Sequence, residues 1–254
     1  MSRLTFPHSP KDYLDYTLTL PKGRTAETLV VYLHGFASDQ QGEKVLYLRD
    51  QFVAAGCAYL AFDHRGHGRS SGTMKELTVS RNLEDVEAII AAHGAGYRRR
   101  ILVGSSMGGQ AVAWYAARHP DQIAAGILIA PGFRFLERRM KELGPQGLEQ
   151  LNRDGEIAYQ NEWVCVTIGK ELFEDAKDYT IDKLLAAYRT PTLIIHGTND
   201  DSVPFEDSVD FIRRSTARPL ELLLLAGGDH RLTEHKETLF SAMRDFLRRL
   251  QLLS

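Results

Sequence analysis

Only two cysteines, Cys57 and Cys165, occur in the 254 residues, and they do not stand at C-x-x-C spacing. A thiolate zinc site or a redox dithiol is therefore not indicated. Two isolated thiols in a chain of this size read instead as small buried hydrophobes in a reducing compartment. Long apolar runs are also missing. Nowhere do about 18 uninterrupted apolar residues occur, which argues against a helix that spans a bilayer. The amino-terminal MSRLTFPHSPKDY has no apolar core behind basic residues, so no signal peptide is expected and the cytoplasm is the expected compartment. An excess of one charge is lacking too: 31 Lys and Arg against 33 Asp and Glu leave a net charge of -2. Such a chain has no global field to draw nucleic acid or an anionic membrane. The RRR run at Arg98 to Arg100 reads as a solvated turn ahead of a strand. Neither G-x-x-x-x-G-K-[ST] nor G-x-G-x-x-G occurs, which weighs against a nucleotide cradle. No internal repeat or low-complexity tract is visible.

What is present alternates. Tyr13 to Leu20 has the apolar–polar alternation of a half-exposed strand. Leu29–Leu33, Ala58–Phe62, Ile101–Val103, Ile127–Ile129, Thr192–Ile195 and Leu220–Leu225 are short apolar runs, as expected of strands buried on both faces. Helical patterns lie between them, at about 43–55, 82–92 and 110–118, and a long one closes the chain at about 236–250. This predicts an α/β fold: a mostly parallel central sheet with helices on both faces and an antiparallel amino-terminal edge. Between Pro131 and Arg189 no convincing strand is read. The charged, helix-forming sequence there predicts a small helical cap over 132–189, inserted into a single domain spanning 1–254 and lying over the carboxyl edge of the sheet.

Ligands bind beyond the carboxyl ends of strands in such sheets. The segment ILVGSSMGGQ, Ile101 to Gln110, sits at one of these ends. Gly104-Ser105-Ser106-Met107-Gly108 fits G-x-S-x-G, a strained strand-to-helix turn that exposes a nucleophile. Positions two before and two after that nucleophile approach neighbouring backbone and must be small. Around Ser106 both are glycine, whereas around Ser105 they are Val103 and Met107, so Ser106 is the candidate. A serine needs a base, and the base needs an orienting acid. AGGDHRLTE places His230 after the last expected strand, and HGTNDDSVPF places Asp200 and Asp201 after another. The order Ser, Asp, His is that of the α/β-hydrolases.

Nearly the whole chain resembles the α/β-hydrolase family. HGF at 34–36, DHRGHGRSSG from Asp63, GSSMGG, HGTNDDSVP and GDH follow the family's order and spacing. The resemblance implies Ser106, Asp200 and His230 as catalytic residues. Asp201 is the fallback acid, and Asp229 is a loop-forming residue. It implies backbone N–H groups of Phe36 and Met107 as the oxyanion hole, with His34 bracing that loop. It implies no cofactor and no metal. His64, His67 and Asp63 belong to a loop that is structural in the family, and His196 reads as a core histidine.

The activity implied is cleavage of a carboxylic ester or thioester of a small or acyl-chain substrate. GSSMGG, HGTNDDSVPF and GDHRLTE resemble the acyl-protein thioesterase and acyl-glucuronide esterase branch, with HGF where that branch can carry proline-glycine. The RGHGRSSG loop also resembles monoacylglycerol and lysophospholipid lipases. C–C bond hydrolases share the triad. A non-catalytic small-ligand receptor on the same fold is the reading from another class. Phe133, Phe135, Trp163 and Phe173 are candidates to line an acyl pocket. The run LERRMKEL is expected to be a solvated helix face. Nothing in the sequence sets acyl length, leaving group or oligomeric state.

Overall fold

The computed structural model describes residues 2–160 and 164–253. An antiparallel hairpin, β1 (Ser2–Phe6) and β2 (Ser9–Thr19), opens the chain. β1 has no counterpart in the sequence expectation, because it is held by pairing with β2 more than by burial. There follow β3 (Thr28–Leu33), α1 (Glu43–Ala54), β4 (Ala58–Phe62), α2 (Val79–His93), β5 (Arg99–Ser105), α3 (Met107–Arg118) and β6 (Ala125–Ile129). The second half holds α4 (Phe135–Asp154), β7 (Glu156–Gln160), β8 (Cys165–Gly169), α5 (Lys170–Asp175), α6 (Ile181–Ala187), β9 (Thr192–Gly197), α7 (Glu206–Arg214), β10 (Leu220–Leu225) and α8 (Lys236–Arg249).

Eight strands form one sheet in the order β1-β2-β4-β3-β5-β6-β9-β10. From β4 to β10 every neighbour pair is parallel, while β1–β2 and β2–β4 are antiparallel, as the patterns predict. Each residue of β3 is buried, and alternate side chains serve opposite faces. Leu29, Val31 and Leu33 join the core with α2 and α3. Val30 and Tyr32 join the core with α1 and α8. Burying a side chain of this kind contributes about 1.5–3 kcal/mol, so the two-sided strands anchor everything at their ends.

The winding reverses at β3. The chain goes first to β4 on one side and then crosses back to β5 on the other. Such a reversal opens a crevice at the carboxyl ends of the two diverging strands. Here those ends are Leu33 and Gly104, which pair across the sheet.

The segment expected to be purely helical is not. β7 and β8 form an antiparallel hairpin, with Ile157 opposite Ile168. EIAYQ and CVTIG are strands of five residues each, too short and too surrounded by charge for periodicity to reveal. α4 is broken at Gly144 (φ 61, ψ -175) ahead of Pro145, where proline can open a new helical turn. LERRMKEL is not simply solvated: its Arg138 donates to Asp207 of α7 at 2.5 Å, and Arg134, just ahead of the run, donates to Asp210 at 2.7 Å. Cys57 is buried as expected, but Cys165 is exposed on the hairpin. Arg99 and Arg100 already belong to β5 rather than to a turn before it. At the other end of the inserted segment, Asp175 of α5 accepts from both the backbone N–H and the hydroxyl of Ser80, at 2.9 and 2.5 Å. Ser80 lies in the first turn of α2, where N–H groups lack intrahelical acceptors.

Candidate active site

A single residue, Ser106, separates β5 from α3, with φ 55 and ψ -113. Non-glycine residues pay for such a conformation and keep it only where the surroundings over-determine it. Ser106 N–H donates to the Ile129 carbonyl at 2.9 Å, and its own carbonyl accepts from Gln110 and Gly132 at 3.0 and 3.1 Å. The flanking glycines make the tight turn possible. A Cβ on Gly104 would lie 2.7 Å from the Gly109 nitrogen, and one on Gly108 would lie 2.6 Å from the His34 carbonyl oxygen. Both distances are inside the contact radius, so the elbow excludes side chains there.

Ser106 Oγ lies 3.0 Å from His230 Nε2, and His230 Nδ1 lies 2.7 Å from Asp200 Oδ2. His230 comes from the loop after β10 and Asp200 from the loop after β9. With its proton on Nδ1, the imidazole donates to the carboxylate and presents a lone pair to the hydroxyl. Asp200 is fully buried and His230 is partly open to solvent. Asp200 Oδ1 accepts from the N–H groups of Ser202 and Val203 at 2.9 and 2.7 Å. Burial alone would push the Asp200 carboxyl up. Hydrogen bonds from His196, His230 and the Val203 backbone outweigh it and hold the group well below the usual carboxylate range. Asp201 Oδ1 accepts only from the exposed Ser202 hydroxyl among these groups. Asp229 accepts from Leu232 N–H at 2.7 Å and so shapes the histidine loop.

His196, expected to be an ordinary core histidine, does more. Its Nε2–H points at Asp200 Oδ2 and at the Val203 carbonyl, both at 3.0 Å, while Nδ1 accepts from Ser208 Oγ at 2.7 Å. It is a second imidazole fixing the same carboxylate. The signal for it lay in the spacing of HGTND, four residues from strand end to acid, which brings ring and carboxylate together once the loop turns back.

Ser105 is buried and its hydroxyl is already engaged. Its Oγ accepts from Lys44 Nζ at 3.1 Å, and Lys44 also donates to the Arg231 carbonyl at 2.5 Å. One buried ammonium thus ties the elbow to the histidine loop, and nothing in the sequence reading singled it out. Burial, with Arg231 adding and Asp229 opposing, pulls Lys44 down to about 8. An unfolded chain holds that proton up to about 10.4. Between these values the unfolded state binds more protons, so this group makes the fold gain stability as pH rises. The unfolding free energy of the wild type relative to Lys44→Met is therefore expected to shift in its favour by about 1–3 kcal/mol from pH 7 to pH 10. Urea titrations at the two pH values read it; an unchanged difference means that Lys44 is not held in this state.

Met107 opens α3, so its N–H has no acceptor within the helix, and the positive end of the helix dipole is at the same place. The loop carrying Phe36 runs alongside. A Cβ on Gly35 would lie 3.4 Å from both Ser106 Cβ and the Ser105 carbonyl. His34 stiffens that loop: Nδ1 bonds the Gly35 carbonyl at 2.8 Å and Nε2 accepts from His64 N–H at 3.0 Å. Asp63 accepts from Gln40 and Arg69 N–H groups, and His64 bonds Asp85, so the DHRGHG segment is spent on its own architecture. Among the described residues no three His, Cys, Asp or Glu side chains are grouped to hold a metal.

A cavity of about 850 Å³ opens over Ser106 and His230. Phe135 and Phe173 line it, together with Phe36, Leu136, Tyr159 and Leu172. Phe133 does not: it is buried with its ring stacked on Phe211 at 4.5 Å and 10°, so it packs the inserted segment onto the body of the domain. Trp163 lies outside the described residues.

A mostly parallel sheet that presents serine, aspartate and histidine in this order beyond its strand ends is the architecture of an α/β-hydrolase. The chain belongs to the serine aminopeptidase S33 family (Hydrolase_4), whose model matches residues 24–154. It is 27% identical over 209 residues to bovine mitochondrial palmitoyl-protein thioesterase ABHD10, covering 81% of this chain and 67% of that protein. It is 27% identical to a monoacylglycerol lipase of Mycolicibacterium smegmatis, covering 82% of this chain and 83% of that one. Among solved structures, Est1E of Butyrivibrio proteoclasticus with ferulic acid bound superposes with TM-score 0.87 at 23% identity, over 98% of this chain and 99% of that one. Mouse ABHD10 superposes with TM-score 0.84 at 23% identity, over 98% and 100%. The protein is a hydrolase of the α/β-hydrolase fold with esterase, thioesterase and lipase relatives. No described helix is long and apolar enough to cross a membrane.

Proposed function

We propose that the protein cleaves carboxylic esters or thioesters through an acyl-enzyme on Ser106. The observation that carries this is the unbroken relay from Ser106 Oγ through His230 to Asp200 at the floor of the cavity. Ser106 Oγ attacks the acyl carbon as His230 Nε2 takes its proton. The oxyanion that forms is received by the N–H groups of Met107 and Phe36. Collapse expels the alcohol or thiol, which takes the proton from His230. Water then enters, gives a proton to His230, attacks the acyl carbon and releases the acid, returning the proton to Ser106. Asp200 keeps the imidazole in the productive tautomer and stabilises its cationic form, and His196 keeps Asp200 in place.

The names of the relatives, thioesterase and lipase, support an ester or thioester over a peptide. A panel of p-nitrophenyl esters, acyl thioesters and amino-acyl anilides of graded length tests this. Esters or thioesters are expected to turn over with anilides left intact. Turnover confined to anilides would replace the reading with that of an aminopeptidase.

A further inference from the structure

The Lys44 ammonium is buried, and its hydrogen bonds go to uncharged oxygens, Ser105 Oγ and the Arg231 carbonyl. A buried ammonium is costly to the fold unless a carboxylate meets it in good geometry. Asp229 favours the charge from the histidine loop, but it takes its own hydrogen bond from Leu232 N–H. A side chain such as methionine would fill the space at less cost. Groups that a fold keeps against its own stability gather at functional sites. The place is as telling as the cost: the two acceptors stand one residue before Ser106 and one residue after His230. Resting on the acyl-enzyme reading, we propose that Lys44 is a positioning residue of the relay: from the first turn of α1 it straps the serine elbow to the histidine loop and so sets the distance between Ser106 and His230.

The loops after β9 and β10 are bound to each other. Thr198 N–H donates to the Leu225 carbonyl, Asn199 N–H to the Gly228 carbonyl and Gly227 N–H to Thr198 Oγ1, each at 2.9 Å. His230 and Asp200 therefore belong to one unit. The elbow is fixed elsewhere, by Ser106 N–H on the Ile129 carbonyl and by Gly132 N–H on the Ser106 carbonyl. The two units must meet at the 3.0 Å contact between His230 Nε2 and Ser106 Oγ, and a misplacement of about 1 Å at such a contact costs about 10²-fold in rate. Lys44 reaches both units from a third element, α1, whose Val45, Leu48 and Phe52 are packed in the core. Tyr32 of β3 hydrogen-bonds the same Ser105 side chain, so the elbow end of the strap is also held from the sheet. Lys44 does line the cavity, but two of its three N–H bonds are committed to the strap, so it acts through its neighbours.

Lys44→Met keeps the apolar stem and deletes the strap. Steady-state turnover of a p-nitrophenyl ester, with sites counted by fluorophosphonate labelling taken to completion, tests the role. The variant is expected to lose about 10–100-fold in kcat per labelled site, with KM within about threefold of the wild type. Counting sites removes any unfolded fraction, so a lysine that only supports the fold would lower the yield of sites and leave kcat per site unchanged. Ser105→Ala cuts the same strap at its elbow end. It is expected to label completely and to lose about 3–10-fold in kcat, and it decides the matter where Lys44→Met does not fold. A loss below about threefold in kcat per site in either variant overturns the proposal. A loss carried by KM alone overturns it too, because Lys44 would then be a substrate contact. Labelling of the wild type separates the two levels: a labelled wild type beside variants of full kcat sinks the strap alone, whereas an unlabelled one sinks the nucleophile on which it rests.

Discussion

Ser106→Ala is expected to lose all covalent labelling by a fluorophosphonate and about 10⁴–10⁶-fold in ester turnover. The loss falls on kcat because, in the proposed mechanism, the missing atom is the one that forms the acyl bond. The residual rate reflects the oxyanion donors and binding alone. Stability should scarcely change, since alanine keeps the Cβ and inherits the same left-handed φ of 55. Ser106→Gly is the informative companion: it relieves that conformation, so it should unfold at a higher temperature than Ser106→Ala while remaining equally inert. Ser105→Ala provides the contrast. Its hydroxyl is engaged with Lys44, so labelling should persist. Mass spectrometry of the labelled protein checks the site, and a label that stays on Ser106→Ala would send the search for the nucleophile elsewhere.

Asp200→Asn and Asp201→Asn should differ by about a thousandfold in kcat. Asp200 is an acceptor on every side: two imidazoles meet Oδ2 and two backbone N–H groups meet Oδ1. An amide there must aim N–H bonds at groups that are themselves donors. Either His230 flips its tautomer and loses the lone pair facing Ser106, or the loop opens. Removing the acid in comparable sites costs about 10³–10⁴-fold, whereas Asp201→Asn alters an exposed contact and should stay within about threefold. Equal losses in the two variants would leave the acid unassigned. Stability gives a second readout. The Asp200 carboxyl is held below its ordinary range in the fold, so its contribution is present above the unfolded value of about 3.9 and is lost as pH falls toward the folded one. The wild type should therefore lose stability on acidification more steeply than Asp200→Asn below about pH 4.

The features that were legible in the sequence are those that repeat a simple rule. Strands buried on both faces announce themselves as apolar runs, and their ends locate the cleft. Glycines on both sides of Ser106, and on neither side of Ser105, separate the two serines, because Gly104 and Gly108 pack against backbone that leaves no room for a side chain. Features that depend on a chain folding back on itself were hidden. The hairpin of Glu156–Gln160 and Cys165–Gly169 is too short to establish a period. Phe133 looks like Phe135 in sequence, yet their rings go to opposite sides, one onto Phe211 and the other into the cavity. His196 and Lys44 act through partners 4 to 187 residues away, and no local pattern encodes that.

Asp175 carries a last consequence. The segment after β6 is tied into the main body: its Asp175 carboxylate accepts two hydrogen bonds in the first turn of α2. Losing a cap of that kind costs about 0.5–2 kcal/mol. The segment is thus a keystone rather than a hinged cover: cut it away and a supporting helix frays at its start. Trimming the insert should therefore cost stability in the main body, and any partner or ligand that displaces α5 disturbs the start of α2.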